Sequence, residues 1–268
     1  MSLSVIILCK NEAANLPGCI GSVRDLADEI IVIDGESTDD SPQIARSLGA
    51  KVFLLDSWEG WGKRRQQAQD LCSCDYVMHL DADERLTQKG IAEIKEQLTS
   101  FSDNTILALP RLTNLFGDNI HHCGWYPDYV MRIYKRSYTH YDDAMVHEKL
   151  VVPQGTSVRY LKEPLIHFSY PYFQRYIEKQ SAYITAFGQN NKRRRKKVSL
   201  WLIPLRGLFS FIRTYILKGG FLDGRAGLWL SISTATYTVN KYLALYLKVT
   251  GKPIQAEDRA TNEQKIRD

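Results

Sequence analysis

Short apolar runs alternate with polar, glycine-bearing stretches through the first part of the chain. Ser4–Leu8 is a β-branched and leucine run of the kind buried on both faces of a sheet. Cys9-Lys10-Asn11-Glu12 follows, and then a helical pattern with Pro17 near its start. Glu29–Asp34 reads as a second buried strand. It ends in the turn-rich segment Gly35–Asp40, after which Ser41 is expected to cap a helix with Pro42 at its first position. Lys51–Leu55 predicts a third strand, and Gly60–Ala68 a glycine-bearing loop leading into a basic helix. The fourth strand begins at Tyr76 and runs straight into Asp81-Ala82-Asp83-Glu84, with a helix starting at Thr87.

Strands alternating with short helices predict βαβ units and a mostly parallel sheet whose strand ends meet at one edge. Ionised carboxylates two apart at the end of a buried strand need partners or water. In an open α/β sheet that position borders the ligand crevice. A hard divalent cation there needs only one or two carboxylates plus phosphate oxygens. Taken alone, Asp81, Asp83 and Glu84 are equally well read as a solvated turn with helix-start charges.

Beyond Thr105 the pattern changes. Thr105–Arg111 predicts a strand, Asn114–Gly124 a loop, and Trp125–Tyr134 an aromatic stretch that ends in a strand. Aromatic faces suit sugar rings, and Trp125 and Tyr126 are equally candidates for core positions. Arg132 is placed to neutralise a phosphate or to pair with a sheet neighbour. His167, in Leu165–Phe168, reads as a satisfied core histidine.

Composition narrows the class. The chain has 268 residues, 44% hydrophobic and 24% charged, which is ordinary for a globular protein. The net charge of +5 comes largely from Lys192–Lys197; the remainder is nearly balanced, so nucleic-acid binding is not expected. A local basic run fits an anionic membrane surface. The five cysteines lack zinc-type or redox spacing, and a reducing cytoplasm is the simplest compartment. His121-His122-Cys123 is discounted as a metal cluster, because adjacent strand residues point to opposite faces. The amino-terminal residues read as a first strand rather than a signal peptide.

No G-x-G-x-x-G follows the first strand and no P-loop is present, which argues against a dinucleotide dehydrogenase or a P-loop kinase. Four other motifs occur in order: Leu8-Cys9-Lys10-Asn11-Glu12, Asp34–Asp39, Gly62-Lys63-Arg64 and Asp81-Ala82-Asp83. Together they resemble the family 2 glycosyltransferases over about the first 170 residues. That resemblance implies a GT-A fold and a nucleotide-sugar donor. It also implies that Asn11 and Glu12 border the nucleotide pocket, that Asp34 accepts a hydrogen bond from uracil, and that Ser37 and Asp39 shape the turn. Lys63 and Arg64 are expected near the base or pyrophosphate, Asp81 on the ribose or metal, and Asp83 on the Mg²⁺ or Mn²⁺ that bridges the phosphates. For Asp34 and Asp39 the residues alone also allow turn acids that satisfy their own backbone.

Val146-His147-Glu148 resembles the signature of lipopolysaccharide inner-core beta-1,4-glucosyltransferases. Direct displacement at an anomeric carbon needs one base for the acceptor hydroxyl. Glu148 is that candidate, with Asp142 or Asp143 in reserve, and His147 is a metal ligand, an orienting partner or a half-buried strand residue. The implied activity is inverting transfer of a hexose, with glucose from UDP-glucose expected, to a membrane glycolipid such as core heptose. Transfer to a polyprenyl phosphate or another surface polysaccharide is the alternative, and a non-catalytic sugar-nucleotide-binding module is a third.

The carboxy-terminal third is expected to be a separate extension. Residues 1–170 would form the GT-A domain, 171–249 a helical, membrane-associating or acceptor-side part, and 250–268 a flexible tail. Val198–Lys218 is apolar but interrupted by Pro204, Arg206 and Arg213, and Ala226–Leu247 is interrupted by Asn240 and Lys241. A spanning helix needs about 20 predominantly apolar residues, so both segments are expected to lie in the interface as amphipathic helices. Packing against the catalytic domain or a dimer partner is the alternative. Gly219–Gly224 is similar to a segment of the same glucosyltransferase group. The expected place is the cytoplasm, peripheral on the inner face of the cytoplasmic membrane.

Overall fold

The computed structural model describes residues 1–54, 59–170, 172–190 and 199–250. Strands β1 (Leu3–Cys9), β2 (Glu29–Asp34), β3 (Lys51–Leu54) and β4 (Tyr76–Asp81) alternate with helices α1 (Leu16–Val23), α2 (Ser41–Ser47) and α3 (Trp61–Asp70). These strands lie parallel in the order β3-β2-β1-β4. Every residue of β1 is buried, as a strand covered on both faces requires. The register sets the strand ends side by side: Cys9 opposes Asp34, and Leu8 opposes Asp81.

β5 (Glu84–Leu86) and α4 (Gln88–Thr99) follow, and Thr87 caps α4 by accepting from the Gly90 N–H at 2.9 Å. Next come β6 (Thr105–Leu115), the two-residue β7 (Asp118–Asn119), β8 (Asp128–Lys135), β9 (Ser157–Tyr160) and β10 (Leu165–Tyr170). Past β4 the sheet changes sense, since β8 is antiparallel to both β4 and β6. The parallel half carries the strand-end acids, and the antiparallel flank extends the sheet beyond them. Two apolar clusters sandwich the sheet. One lies beneath α1 and α4, and the other includes Ile6, Val77, Ile106, Tyr134, Tyr141 and Ala68 of α3. The cysteines at positions 9, 19, 72, 74 and 123 are all free and buried.

Ser41 does not cap α2 as expected. It is the first helical residue, and Asp40 occupies the cap position without a side-chain bond. The Ser41 hydroxyl is used elsewhere, accepting from the Glu12 N–H and donating to Asp39 Oδ1.

Two compact units divide the chain. The first comprises Met1–Leu115 and Trp125–Ser169; the second comprises Phe116–Gly124 and the chain from Tyr170 onward. The second unit contains α5 (Phe173–Asn190), α6 (Leu202–Ile212), a π-helical turn (Arg213–Leu217), a 3₁₀ turn (Gly220–Asp223) and α7 (Gly224–Thr250). Phe116–Gly124 belongs with these helices for a local reason. Asp223 accepts from the backbone N–H groups of His121 and His122, at 3.2 and 2.8 Å, and lies 2.7 Å from His122 Nδ1. Gly220 and Gly227 permit this packing: a Cβ on Gly220 would stand 2.9 Å from Cys123 Sγ, and one on Gly227 would stand 1.8 Å from the Gly220 carbonyl oxygen. Among the described residues no helix is long and apolar enough to cross a membrane. The basic run Lys192–Lys197 and residues 251–268 of the expected tail lie outside the described residues.

Candidate active site

The loops after β1 and β2 are tied together residue by residue. Asn11, at φ +56, donates its N–H to Ser37 Oγ at 2.8 Å, and its Oδ1 accepts from the Thr38 N–H at 2.8 Å. Asp39 accepts from the Ala13 N–H through Oδ2 and from Ser41 through Oδ1. The Ser41 hydroxyl bond, together with these backbone donors, keeps the Asp39 carboxyl below its ordinary range. Ser37 and Asp39 therefore hold the loops in shape. Asp34 differs from them. It is 1% exposed, its Oδ2 accepts from the Ser37 N–H at 3.0 Å, and its buried Oδ1 has no partner among the described residues. A buried acceptor left open at a strand end is suited to a ligand N–H.

α3 begins against the segment that carries Glu148. The N–H groups of Trp61 and Gly62 donate to the carbonyls of Met145 and Ala144. A Cβ on Gly62 would sit 1.8 Å from the Asp142 carbonyl oxygen, so only glycine allows this approach. One turn on, Arg65 reaches the strand ends. Its Nε donates to Glu148 Oε1 and its Nη2 to Asp81 Oδ1, both at 2.9 Å, with the guanidinium 5.0 Å from the Tyr141 ring centroid. Arg132 donates to Asp81 Oδ2 at 2.9 Å and to Glu84 Oε1 at 2.6 Å. Glu84 Oε2 in turn accepts from the Asp81 N–H at 3.0 Å.

The result is an alternating chain of charges, Glu148, Arg65, Asp81, Arg132 and Glu84, in which the two arginines and Glu84 are buried and Asp81 and Glu148 keep partial access to solvent. Burial opposes ionisation of Asp81, but Arg132 and Arg65 outweigh it and hold its carboxyl well below the usual range. Burial raises the fully enclosed Glu84 carboxyl, and Arg132 offsets that only in part. Beneath this layer His79 meets the Tyr134 hydroxyl at 3.0 Å, and burial followed by the Arg65 and Arg132 charges pushes its imidazole well below the ordinary range. His79 is a neutral core residue.

Asp83 is partly exposed, with Oδ2 3.3 Å from His167 Nε2. Asp81, Asp83 and His147, expected as metal ligands, do not form one set: both Asp81 oxygens are held by guanidinium groups, and His147 is exposed at φ +62. Among the described residues no three His, Cys, Asp or Glu side chains converge as a metal cluster. A hard cation that draws its other ligands from a diphosphate needs only one or two protein groups, and Asp83 with His167 beside it fits that demand.

Lys63 is half-exposed and pairs with Asp143 at 3.0 Å, while Arg64 is buried in the same helix. Asp142 accepts from the N–H groups of Ala144 and Lys149, so it shapes its own loop. Gln66 and Lys63 hold the exposed Asp143 carboxyl below its usual range. Of the candidate bases, Glu148 is the one joined to the aspartate pair. Its Oε2 accepts no hydrogen bond among the described residues. Arg65, Glu84 and His167 were not singled out as site residues in the sequence. For Arg65 a signal existed, because Gly62, Arg65 and Gln69 recur at helical spacing on the buried face of α3.

Residues 4–165 match the family described as Glycosyl transferase family 2. The chain belongs to that family. An uncharacterized glycosyltransferase of Rickettsia prowazekii (strain Madrid E) is 28% identical over 234 residues, covering 84% of this chain and 80% of the relative. The lipopolysaccharide core biosynthesis glycosyltransferase LpsC of Rhizobium meliloti (strain 1021) is 28% identical over 248 residues, covering 88% and 89%. Among solved structures, S. aureus TarS 1–349 gives a TM-score of 0.47 at 15% identity, covering 95% of this chain and 93% of that one. As a family 2 glycosyltransferase the chain has a mixed α/β, GT-A type of fold, and its strand-end acids stand where this architecture binds ligands.

Proposed function

We propose that this glycosyltransferase transfers a hexose with inversion, taking glucose from UDP-glucose, to a hydroxyl of a membrane glycolipid such as the heptose of a lipopolysaccharide core. One observation carries the reading. Arg65 donates to Asp81 and to Glu148 at 2.9 Å each, so residues 67 positions apart in the chain are held on one guanidinium. The name of the Rhizobium meliloti relative supports the choice of acceptor class.

In this reading the uracil N–H meets Asp34 Oδ1, and Asn11 and Glu12 border the base. Asp83 and His167 would hold the Mg²⁺ or Mn²⁺, which when bound would offset charge on the departing diphosphate. Arg65 fixes Glu148 through Oε1 and leaves Oε2 to take the acceptor proton as that oxygen attacks the anomeric carbon. The second unit would work at the inner face of the cytoplasmic membrane. Leu205, Leu208, Phe209, Ile216 and Leu217 are all more than half exposed there. No acid occurs between Asn191 and Leu222, whereas Lys192–Lys197, Arg206, Arg213 and Lys218 are all basic.

A donor panel tests the chemistry. UDP-glucose, other UDP-hexoses and GDP-mannose are offered with a deacylated core oligosaccharide, with and without Mg²⁺ or Mn²⁺, and nucleoside diphosphate release is followed. Release that needs both UDP-glucose and the ion, and that is lost in Asp83→Asn, supports the reading. Equal release without metal, or undiminished metal-dependent release by Asp83→Asn, contradicts it.

A further inference from the structure

Arg85 of β5 bonds at once to two loops of the site. Its Nη1 donates to the carbonyls of Ala82 and Glu84, both at 2.8 Å, and so grips the turn between β4 and β5 that presents Asp83. Its Nη2 donates to the Asn15 carbonyl at 2.7 Å and to Asn15 Oδ1 at 3.2 Å. Asn15 Nδ2 donates in turn to Glu12 Oε2 at 2.7 Å, in the loop after β1. One guanidinium therefore joins the loop that carries Asn11 and Glu12 to the turn of the strand-end acids.

The surroundings hold this side chain in one place. Its guanidinium lies 5.4 Å from the Phe168 ring centroid, and the Phe168 N–H donates to the Asp83 carbonyl at 2.8 Å. The carbonyls of Ala82, Asp83 and Glu84 are thus taken by Arg85 or by the residue it lies against. From the other side α1 approaches so closely that a Cβ on Gly18 would stand 2.5 Å from Arg85 Nε and 3.1 Å from its Cζ. Glycine weakens a helix interior relative to alanine, so the guanidinium and not the helix explains the glycine at this position. All four Arg85 bonds end on carbonyl oxygens rather than on a carboxylate, which makes the side chain an organiser of backbone.

A nucleoside diphosphate has a fixed span between its base and its phosphates. Both ends are satisfied together only where the groups that receive them keep a set separation, to about half an ångström. We propose that Arg85 is a positioning residue that sets the separation between the base loop and the Asp83 turn, and that UDP and the divalent ion strengthen each other's binding fully only with it in place. The inference rests on the reading of Asn11, Glu12 and Asp34 as the base pocket and of Asp83 as the ion's acid. Coupling of this kind is reciprocal, so the factor by which the ion raises UDP affinity equals the factor by which UDP raises that of the ion.

Calorimetry on the full chain measures the UDP dissociation constant with and without Mn²⁺; their ratio is the coupling factor, and melting temperature is followed on the same samples. Arg85→Met keeps the aliphatic stem and removes the donors, and its coupling factor is expected to fall roughly fivefold or more, the lower end of ordinary coupling. Arg85→Lys keeps the charge but cannot serve two loops with a planar fork, so it should resemble Arg85→Met. Gly18→Ala presses a methyl group onto Arg85 in a helix that otherwise favours alanine. It should lower the coupling factor while the melting temperature is kept or raised, whereas a purely structural Arg85 would lower the melting temperature and leave the coupling factor alone. A parent-like factor in folded Arg85→Met overturns the inference; where Arg85→Met does not fold, a parent-like factor in Gly18→Ala overturns it. If the parent's own UDP affinity is indifferent to Mn²⁺, the donor reading fails and takes this inference with it. A responsive parent with equally responsive variants sinks this inference alone.

Discussion

Arg65 is enclosed on α3, with a carboxylate on each side and the Tyr141 ring against it. Two acids this close to each other need the shared cation, and each polar partner removed leaves a charge in a poorly solvated place. Arg65→Met is expected to cost about 3–5 kcal/mol of stability, the usual penalty for breaking a buried pair. Urea unfolding measures it, and a loss within experimental error of zero would mean that the pair is solvated. Arg65→Lys keeps the charge but cannot serve both carboxylates with a planar fork, so it should recover part of the stability and little of the turnover. Asp81, Asp83 and Glu148 stood out in the sequence as candidates because acids directly after an apolar strand-like run, or late in the domain beside a histidine, differ by type from their neighbours. Arg65 was passed over for Lys63 and Arg64, since three adjacent cations differ only in which helical face they occupy. His167 was legible as a buried-strand histidine and not as a neighbour of Asp83, because that contact joins β10 to a turn 84 residues earlier.

Elements set the frame for these residues, and Glu29 at the start of β2 shows how. Its carboxylate accepts from Ser4 Oγ on β1 at 2.6 Å, from Lys51 Nζ on β3 at 2.6 Å, and from the Ser73 N–H ahead of β4 at 2.9 Å. Burial works against ionisation, yet the Lys51 contact and the serine donors lower the Glu29 carboxyl from 4.5 to about 2. A depressed carboxyl contributes stability that is complete above its unfolded value and disappears as pH falls through the folded one. Urea midpoints of the parent should therefore drop between pH 4.5 and about 2, and Glu29→Gln should flatten that part of the curve. An equally steep fall in the variant would assign the acid sensitivity to other groups. The parallel strands were readable from their apolar runs and bounding turns. The antiparallel placement of β8 was not, because pairing with β4 and β6 depends on register across distant segments. Ser41 was misread for a related reason: its hydroxyl serves the loop after β1 and leaves the helix cap to Asp40.

At the scale of the whole molecule, the division into two units separates two kinds of surface. The first unit gathers charges into one chain of ion pairs at the strand ends. The second leaves large apolar side chains on α6, on the turns after it and on Trp201 just before it in contact with solvent, Trp201 at 87% exposure. Interfacial binding combines apolar insertion with attraction to anionic headgroups, and only the second part is screened by salt. Co-sedimentation with vesicles of phosphatidylglycerol and phosphatidylethanolamine should retain the protein, weaken at high salt, and fall further in Leu208→Glu. Indifference to lipid charge and to Leu208→Glu would remove the membrane from the account. The grouping of Phe116–Gly124 with the later helices was hidden from the sequence, since Asp223 reaches His121 and His122 across about a hundred residues of chain.

The central claim is that Glu148 serves as the base in a cleft it shares with the aspartate pair. Glu148→Gln keeps the size and the Arg65 contact through its amide oxygen while removing the basic carboxylate. The decisive measurement is kcat for UDP release onto the acceptor oligosaccharide, with UDP affinity in the presence of Mn²⁺ measured on the same sample. The account predicts unchanged UDP affinity and a fall in kcat of about 10²–10⁴-fold, the range for a lost general base. Turnover equal to the parent enzyme would contradict it.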